Sequence, residues 1–155
     1  MPSNDTMKQA SLLAETVDAI STYVQILIRP ANIKILMCLA RAYVNNEGLI
    51  FSRLAELTGL GTGRAFNYPI QCLKREGFIR DIVEDRNTIF MVTDAGLIAA
   101  RGIVASLRSF VEEYKDLNEV KNNHPEIAEG YSAIVELEER LSKLKFSSEL
   151  VIHSS

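Results

Sequence analysis

The fold is decided by residues 51–92, which read FSRLAELTGLGTGRAFNYPIQCLKREGFIRDIVEDRNTIFMV. The opening of this stretch predicts a short helix, because Ser52 can act as its N-cap and Gly59 can close it. Three apolar residues are expected to form its buried face: Leu54, Ala55 and Leu57. A glycine-rich turn at residues 59–61 then allows a second helix to follow closely.

The second helix is expected from residue 62 to about residue 76, with Gly77 as its C-terminal stop. Its inward positions recur at intervals of four and three residues: Phe66, Ile70 and Leu73. Pro69 lies inside this helix and removes a backbone hydrogen bond, so we expect either a bend or a later helix start.

A change of period after residue 77 predicts a β-hairpin. Two β-prone runs, residues 78–83 and 88–92, flank a polar connection of four residues, 84–87. Two short helices followed at once by a hairpin are typical of a winged helix-turn-helix. In that motif the second helix enters the major groove of DNA and the hairpin lies along the flanking duplex.

Amphipathic helices are predicted on both sides of this unit. Before it, residues 5–28 form one helix, and residues 33–44 form a second, apolar on most sides and therefore central, with Asn32 as its cap. After it, Thr93 or Asp94 caps a helix that reaches about residue 117. A last helix is expected from Pro125 to about residue 145.

The expected fold class is mainly α with a small β-hairpin, in four parts: a dimerisation helix (1–30), a DNA-binding lobe (31–96), C-terminal dimerisation helices (97–146) and a flexible tail (147–155). The apolar stripes exceed what one small core can cover, so we expect two copies to pair. The expected interface residues are Leu13, Val17, Ile20, Leu107, Val111, Tyr114, Ile134, Leu137 and Leu141. The alternative is that the outer helices fold back onto their own domain.

The outward face of the second helix, with the hairpin tip, supplies the candidate DNA contacts: Thr62, Gly63, Arg64, Asn67, Tyr68, Gln71 and Arg86. Arginine can pair with guanine through two hydrogen bonds, and Asn or Gln can pair with adenine in the same way. The hairpin arginine can enter a narrow minor groove, although the two acids before it would repel phosphate. The alternative for all of these residues is a solvated face.

Charge is unevenly distributed along the chain, whose net charge is −3. Residues 29–96 hold nine Lys or Arg and seven Asp or Glu, whereas the two flanks together hold eight and thirteen. This distribution permits a DNA-reading core on an acidic oligomerisation frame, but does not prove one.

Other classes of function are not favoured by the sequence. It has no Gly-rich phosphate loop, metal-spaced His and carboxylate pair or nucleophile elbow, so we expect no enzyme, metal or cofactor. Without a long apolar run or signal-peptide pattern, a cytoplasmic protein with no membrane partner is expected. Cys38 and Cys72 are predicted to be inert buried thiols, with redox sensing as the alternative.

Three stretches, residues 28–40, 54–60 and 73–79, resemble the multiple-antibiotic-resistance regulator (MarR) family, and residues 85–96 are similar to its wing end and following helix start. The resemblance covers about residues 5–146. It implies a homodimer built from the first and last two helices, which regulates transcription at a pseudo-palindromic operator. It also implies a small ligand or an oxidant as effector in some members.

The function predicted from the sequence is thus a DNA-binding transcriptional regulator, with repression as the expected mode. The alternative is a winged-helix protein-interaction module, or a plasmid or replication accessory, without strong DNA binding. Net negative charge and the acidic hairpin tip favour this alternative. The sequence specifies neither the operator nor the effector.

Overall fold

The computed structural model describes residues 3–145, except for the side chains of residues 22–24. Its helices and strands follow one another in the order α1 (Asn4–Leu27), α2 (Pro30–Val44), β1 (Leu49–Ile50), α3 (Phe51–Thr58), α4 (Arg64–Arg75), β2 (Ile79–Glu84), β3 (Asn87–Val92), α5 (Asp94–Tyr114), α6 (Asn118–Asn123) and α7 (Pro125–Ser142). The predicted class, mainly α with a small β-sheet, is confirmed. The expected tail, residues 147–155, lies outside the described residues.

Helix α2 forms the centre of the core, as its apolar circumference predicts. Ile35, Leu36 and Leu39 are fully buried, and α2 contacts α3, α4, α5, α7 and strand β3. Asn32 does not cap this helix, because Arg29 is the N-cap residue. Instead the buried Asn32 side chain donates a hydrogen bond of 2.5 Å to the carbonyl oxygen of Ile26, which ties the end of α1 to α2.

Helices α3 and α4 form the helix-turn-helix pair. Helix α3 begins one residue before Ser52, with Ile50 as its N-cap, so the predicted Ser52 cap is wrong. Leu57 is 49% exposed rather than buried. Thr58 takes the inward position, where its hydroxyl donates to the carbonyl oxygen of Leu54 over 2.9 Å. Gly59 ends the helix in the left-handed conformation that favours glycine.

Helix α4 runs through Pro69 without ending there. It begins at Arg64, two residues later than predicted, so Pro69 lies in its second turn. The predicted inward face is confirmed, since Phe66, Ile70 and Leu73 are at most 2% exposed. Pro69 is buried on the same side, and because proline has no backbone N–H, it gives the carbonyl oxygen of Ala65 no helical hydrogen bond.

The sheet is antiparallel with strand order β1-β3-β2. The hairpin connection has two residues rather than four, because Glu84 pairs with Asn87 across the turn. Asp85 and Arg86 both have positive φ, 51° and 68°, as the tight turns of twisted hairpins require. Strand β1, which the sequence did not predict, pairs with the inner half of β3.

The C-terminal helices pack on the core of their own chain. Leu137 and Leu141 of α7 are 6% and 0% exposed, in one cluster with Leu97 and Val104 of α5. An ion pair of 3.0 Å between Arg108 and Glu138 reinforces the α5–α7 contact. For these two side chains the structure corresponds to the fold-back alternative, because Leu137 and Leu141 are covered by their own chain.

Helix α1 extends away from the core. Every residue from 3 to 20 is exposed, and only the last turn, with Ile26 and Leu27, packs against the buried cluster. A solvent-exposed helix with this many apolar side chains normally has a partner, because apolar area exposed to water costs about 25 cal/mol per Å².

Candidate nucleic-acid interface

The exposed face of α4 carries a stripe of polar and aromatic side chains. Arg64, Asn67, Tyr68 and Gln71 are separated by three, one and three residues and are all exposed. Such spacing places them on one side of a helix. The opposite side is fixed in the core by its apolar residues, so the polar stripe cannot rotate inward without exposing Phe66 and Ile70.

The start of α4 is open toward solvent. Gly63 is its N-cap residue and supplies no capping side chain. The side-chain amide of Asn67 donates over 3.3 Å to the carbonyl oxygen of Thr62, which braces the turn before the helix. Amide groups at an uncapped helix start can donate to anionic oxygens, and the helix dipole favours negative charge there.

Most cations around the helix-turn-helix are already paired within the chain. Lys74 contacts Asp81 at 2.9 Å and Arg53 contacts Glu56 at 3.3 Å. Arg64 has no ion pair with any residue between 3 and 145. Positive charge available to a ligand is therefore concentrated at the start of α4 rather than at its end.

The hairpin places Arg86 at an exposed tip, next to exposed Glu84 and Asp85. The turn brings one cation and two acids to the same point, so the tip has no net positive charge. Val83 on the same arm is 76% exposed. The structure thus brings the α4 candidates together in one stripe and leaves Arg86 apart from them, on the wing.

These elements form a winged helix-turn-helix. Among solved structures, the chain is similar to the crystal structure of a MarR family transcriptional regulator from Silicibacter pomeroyi DSS-3, with a TM-score of 0.47 and 21% sequence identity over 72% of this chain and 84% of that chain. No family model and no curated protein matches the sequence.

Two cavities adjoin the helix-turn-helix. The sequence analysis did not predict the residues that line either cavity. The first, of about 420 Å³, lies where the start of α2 meets the start of α4 and is lined by Arg29, Arg64 and Tyr68 among others. The sequence did not predict that Arg29 lies near Arg64, because the two residues are 35 positions apart and Arg29 follows helix α1, which extends away from the core. No local pattern indicates such a juxtaposition.

The second cavity, of about 550 Å³, lies between the helix-turn-helix and the C-terminal helices. It is mainly apolar, and its lining includes Leu107 and Ile134 together with Arg41, Arg53 and Glu47. Cys38 also lines it, and burial raises the pKa of this thiol above its usual value. A raised pKa keeps the sulfur protonated and less nucleophilic, which favours the inert interpretation.

The predicted interface residues fall into three groups. Leu13, Val17, Ile20 and Tyr114 are at least half exposed. Leu107, Val111 and Ile134 are partly buried, whereas Leu137 and Leu141 belong to the core of the chain. The structure adds large exposed apolar residues that the stripes did not include, among them Met7, Leu12, Phe110 and Leu117.

The described residues contain no helix that combines the length and the apolar character needed to span a bilayer.

Proposed function

We propose that this protein is a sequence-specific DNA-binding regulator of transcription of the MarR type, which binds a pseudo-palindromic operator as a homodimer and represses. The observation that carries the proposal is the exposed stripe of Arg64, Asn67, Tyr68 and Gln71, on a helix whose other side is fixed in the core. Amide side chains on such a helix can bond to base edges in the major groove. Arg86 on the wing would add a contact to the neighbouring minor groove.

The homodimer is supported by the apolar face of α1. Its large side chains Met7, Leu12, Leu13, Val17 and Ile20 are each at least 50% exposed. Phe110, Tyr114 and Leu117, at the end of α5 and just beyond it, are also exposed. A second copy of the chain offers the same surfaces, and a two-fold dimer would bury both sets at once. It would also present two α4 helices to successive major grooves, about 34–36 Å apart.

Repression is the proposed mode because it needs no activity beyond DNA binding: an operator-bound dimer that overlaps a promoter excludes the polymerase. We therefore propose repression in the cytoplasm, in contact with DNA.

A small-molecule effector is supported by the larger cavity. An amphipathic anion would suit its apolar lining and its arginines if it displaced the carboxylates of Glu136 and Glu56, which pair with Arg41 and Arg53. Arg41 contacts both Asn45, just after α2, and Glu136 of α7, at 3.2 and 3.3 Å. A ligand that displaced these contacts would alter how the DNA-binding lobe is held against the C-terminal helices.

The test is selection of bound duplexes from a random DNA library with the wild-type chain. We expect a two-fold symmetric consensus, and an affinity for random duplex that falls steeply with salt, because phosphate contacts release counterions. Selection without enrichment, together with no binding at low salt, would refute a DNA-binding function.

The second candidate is a winged-helix module that binds protein, or a plasmid or replication accessory, without strong DNA binding. The acidic tip, Glu84 and Asp85, and the exposed Val83 favour it. This candidate predicts no duplex binding at any salt concentration, so the same salt series separates the two functions.

A further inference from the structure

The cleft between the starts of α2 and α4 is lined by arginines without acidic partners, whereas the cations at the other end of α4 are paired with carboxylates. Arg29 and Arg64 both line it, and no carboxylate is among its lining residues. Both arginines are exposed, and neither forms an ion pair within the described part of the chain. By contrast, Lys74 and Arg75 at the other end of α4 lie against Asp81 and Glu76.

Arg29 and Arg64 both line this cleft and no carboxylate does, so an anion bound there would offset the repulsion between their like charges. Guanidinium presents its N–H donors in a plane that matches the oxygens of a phosphate. Tyr68 also lines the cleft and is 51% exposed, so its hydroxyl can donate to the same anion. The chemistry of the cleft is therefore that of a phosphate site.

The backbone around Arg29 is held in place before any ligand binds. Its carbonyl oxygen accepts a hydrogen bond of 3.0 Å from the amide of Ile33, and the Asn32 side chain fixes the preceding turn to Ile26. Arg29 is the N-cap residue of α2, but its side chain makes no capping hydrogen bond. Among the described residues, the Arg29 guanidinium thus makes no hydrogen bond or ion pair that a substitution would remove.

We propose that Arg29 and Arg64 together hold one backbone phosphate of the DNA strand that borders the groove entered by α4. This inference rests on the proposed function. It makes Arg64 a phosphate ligand rather than a base reader, because the cleft lies at the N-terminal end of α4. Base reading then falls to Asn67 and Gln71, further along the helix. Phosphate contacts fix orientation on the duplex, whereas base contacts carry sequence preference.

The test compares the full-length chain with Arg29→Ala and, as matched control, Lys34→Ala. Lys34 is an exposed cation one turn further along α2 that does not line the cleft. Each protein is titrated with the selected operator and with a random duplex over a series of salt concentrations. Circular dichroism and thermal melting verify that the variants are folded.

Arg29→Ala should weaken binding to both duplexes about tenfold and lower the slope of log K against log salt by about one per subunit. Its sequence preference should be unchanged, and Lys34→Ala should behave as wild type. Arg64→Ala should likewise weaken both duplexes without changing the selected consensus.

Three results would overturn the inference. Arg29→Ala with wild-type affinity and slope would show that no phosphate lies in the cleft, and a loss confined to the operator would indicate a base contact instead. Tight binding of inorganic phosphate to the wild-type chain without DNA, lost in Arg29→Ala, would assign the cleft to a free anion. A wild-type chain that binds neither duplex refutes the proposed function itself.

Discussion

Thr93 connects three elements that must keep their relative positions for α4 and the wing to act together. Its hydroxyl donates to the carbonyl oxygen of Gly77, just after α4, over 2.6 Å. The hydroxyl oxygen of Thr93 also accepts a hydrogen bond from the amide of Gly96 at 3.1 Å and so caps α5. Its backbone amide donates to the carbonyl oxygen of Phe78 over 3.0 Å. One side chain therefore joins the end of α4, the base of the hairpin and the start of α5.

Replacing Thr93 by Val keeps the shape of the side chain and removes both hydroxyl hydrogen bonds. Loss of the cap costs about 1 kcal/mol, and loss of the bond to Gly77 costs about 1 kcal/mol more. We therefore expect Thr93→Val to lower the free energy of unfolding by about 2 kcal/mol, which corresponds to a fall in Tm of about 4–8 °C for a chain of this size.

The assay is equilibrium unfolding in urea, followed by circular dichroism. Protein concentration must be the same for every variant, because association would contribute to the apparent stability. Thr93→Ser keeps a hydroxyl at the same position and should remain within about 0.5 kcal/mol of wild type. A loss in Thr93→Val that is no larger than the loss in Thr93→Ser would refute the capping argument.

Three further predictions follow from the same structure. The double variant Leu13→Asp, Val17→Asp should be monomeric by light scattering and should bind the operator more weakly. The control Ser11→Asp, on the same exposed helix, should remain a dimer with unchanged binding. An unchanged dimer mass in the double variant would exclude α1 from the interface. Gly96→Ala should lower the free energy of unfolding by at least about 1–3 kcal/mol, because a Cβ would overlap the carbonyl oxygen of Phe78 and lie 2.5 Å from Val92. As a control, Gly102→Ala on the same helix places its Cβ in open space and should be neutral or stabilising. Equal losses of stability in the two variants would contradict this packing. Arg86→Gly should raise the free energy of unfolding by up to about 1 kcal/mol, because it relieves a positive φ at a non-glycine residue. The same variant should bind DNA more weakly. Unchanged affinity for DNA would show that the wing does not contribute to the interface.

The order of the predicted helices and the hairpin, and the inward face of α4, were predictable because both depend on local periodicity. The short helix α6 was not predicted. Phe66, Ile70 and Leu73 recur at helical spacing, and the glycines at 59 and 77 mark helix ends. The sequence was less informative for elements whose formation depends on pairing with a distant part of the chain. Strand β1 has only two residues and exists because β3 offers it an edge. The hairpin turn consists of Asp85 and Arg86 rather than the usual Asn-Gly pair, so the sequence did not indicate that the turn has only two residues.

The interface was only partly predictable, because periodicity identifies an apolar face without identifying what covers it. The stripe of α7 is real, yet Leu137 and Leu141 are covered by the same chain. The stripe of α1, with the same kind of spacing, is left exposed. The position of Arg29 beside Arg64 depends on how α2 packs against α4, and no spacing in the sequence carries that information.

The central claim is that the polar stripe of α4 reads bases, and Gln71 tests it most directly. Gln71 is exposed, lies outside the Arg29 cleft and can bond to adenine through two hydrogen bonds. The measurement is selection from a random duplex library, run in parallel with wild type and Gln71→Ala. We predict that the variant loses its preference at one base pair in each half-site and keeps the remaining consensus. The same consensus from both proteins, with equal preference at every position, would contradict the account.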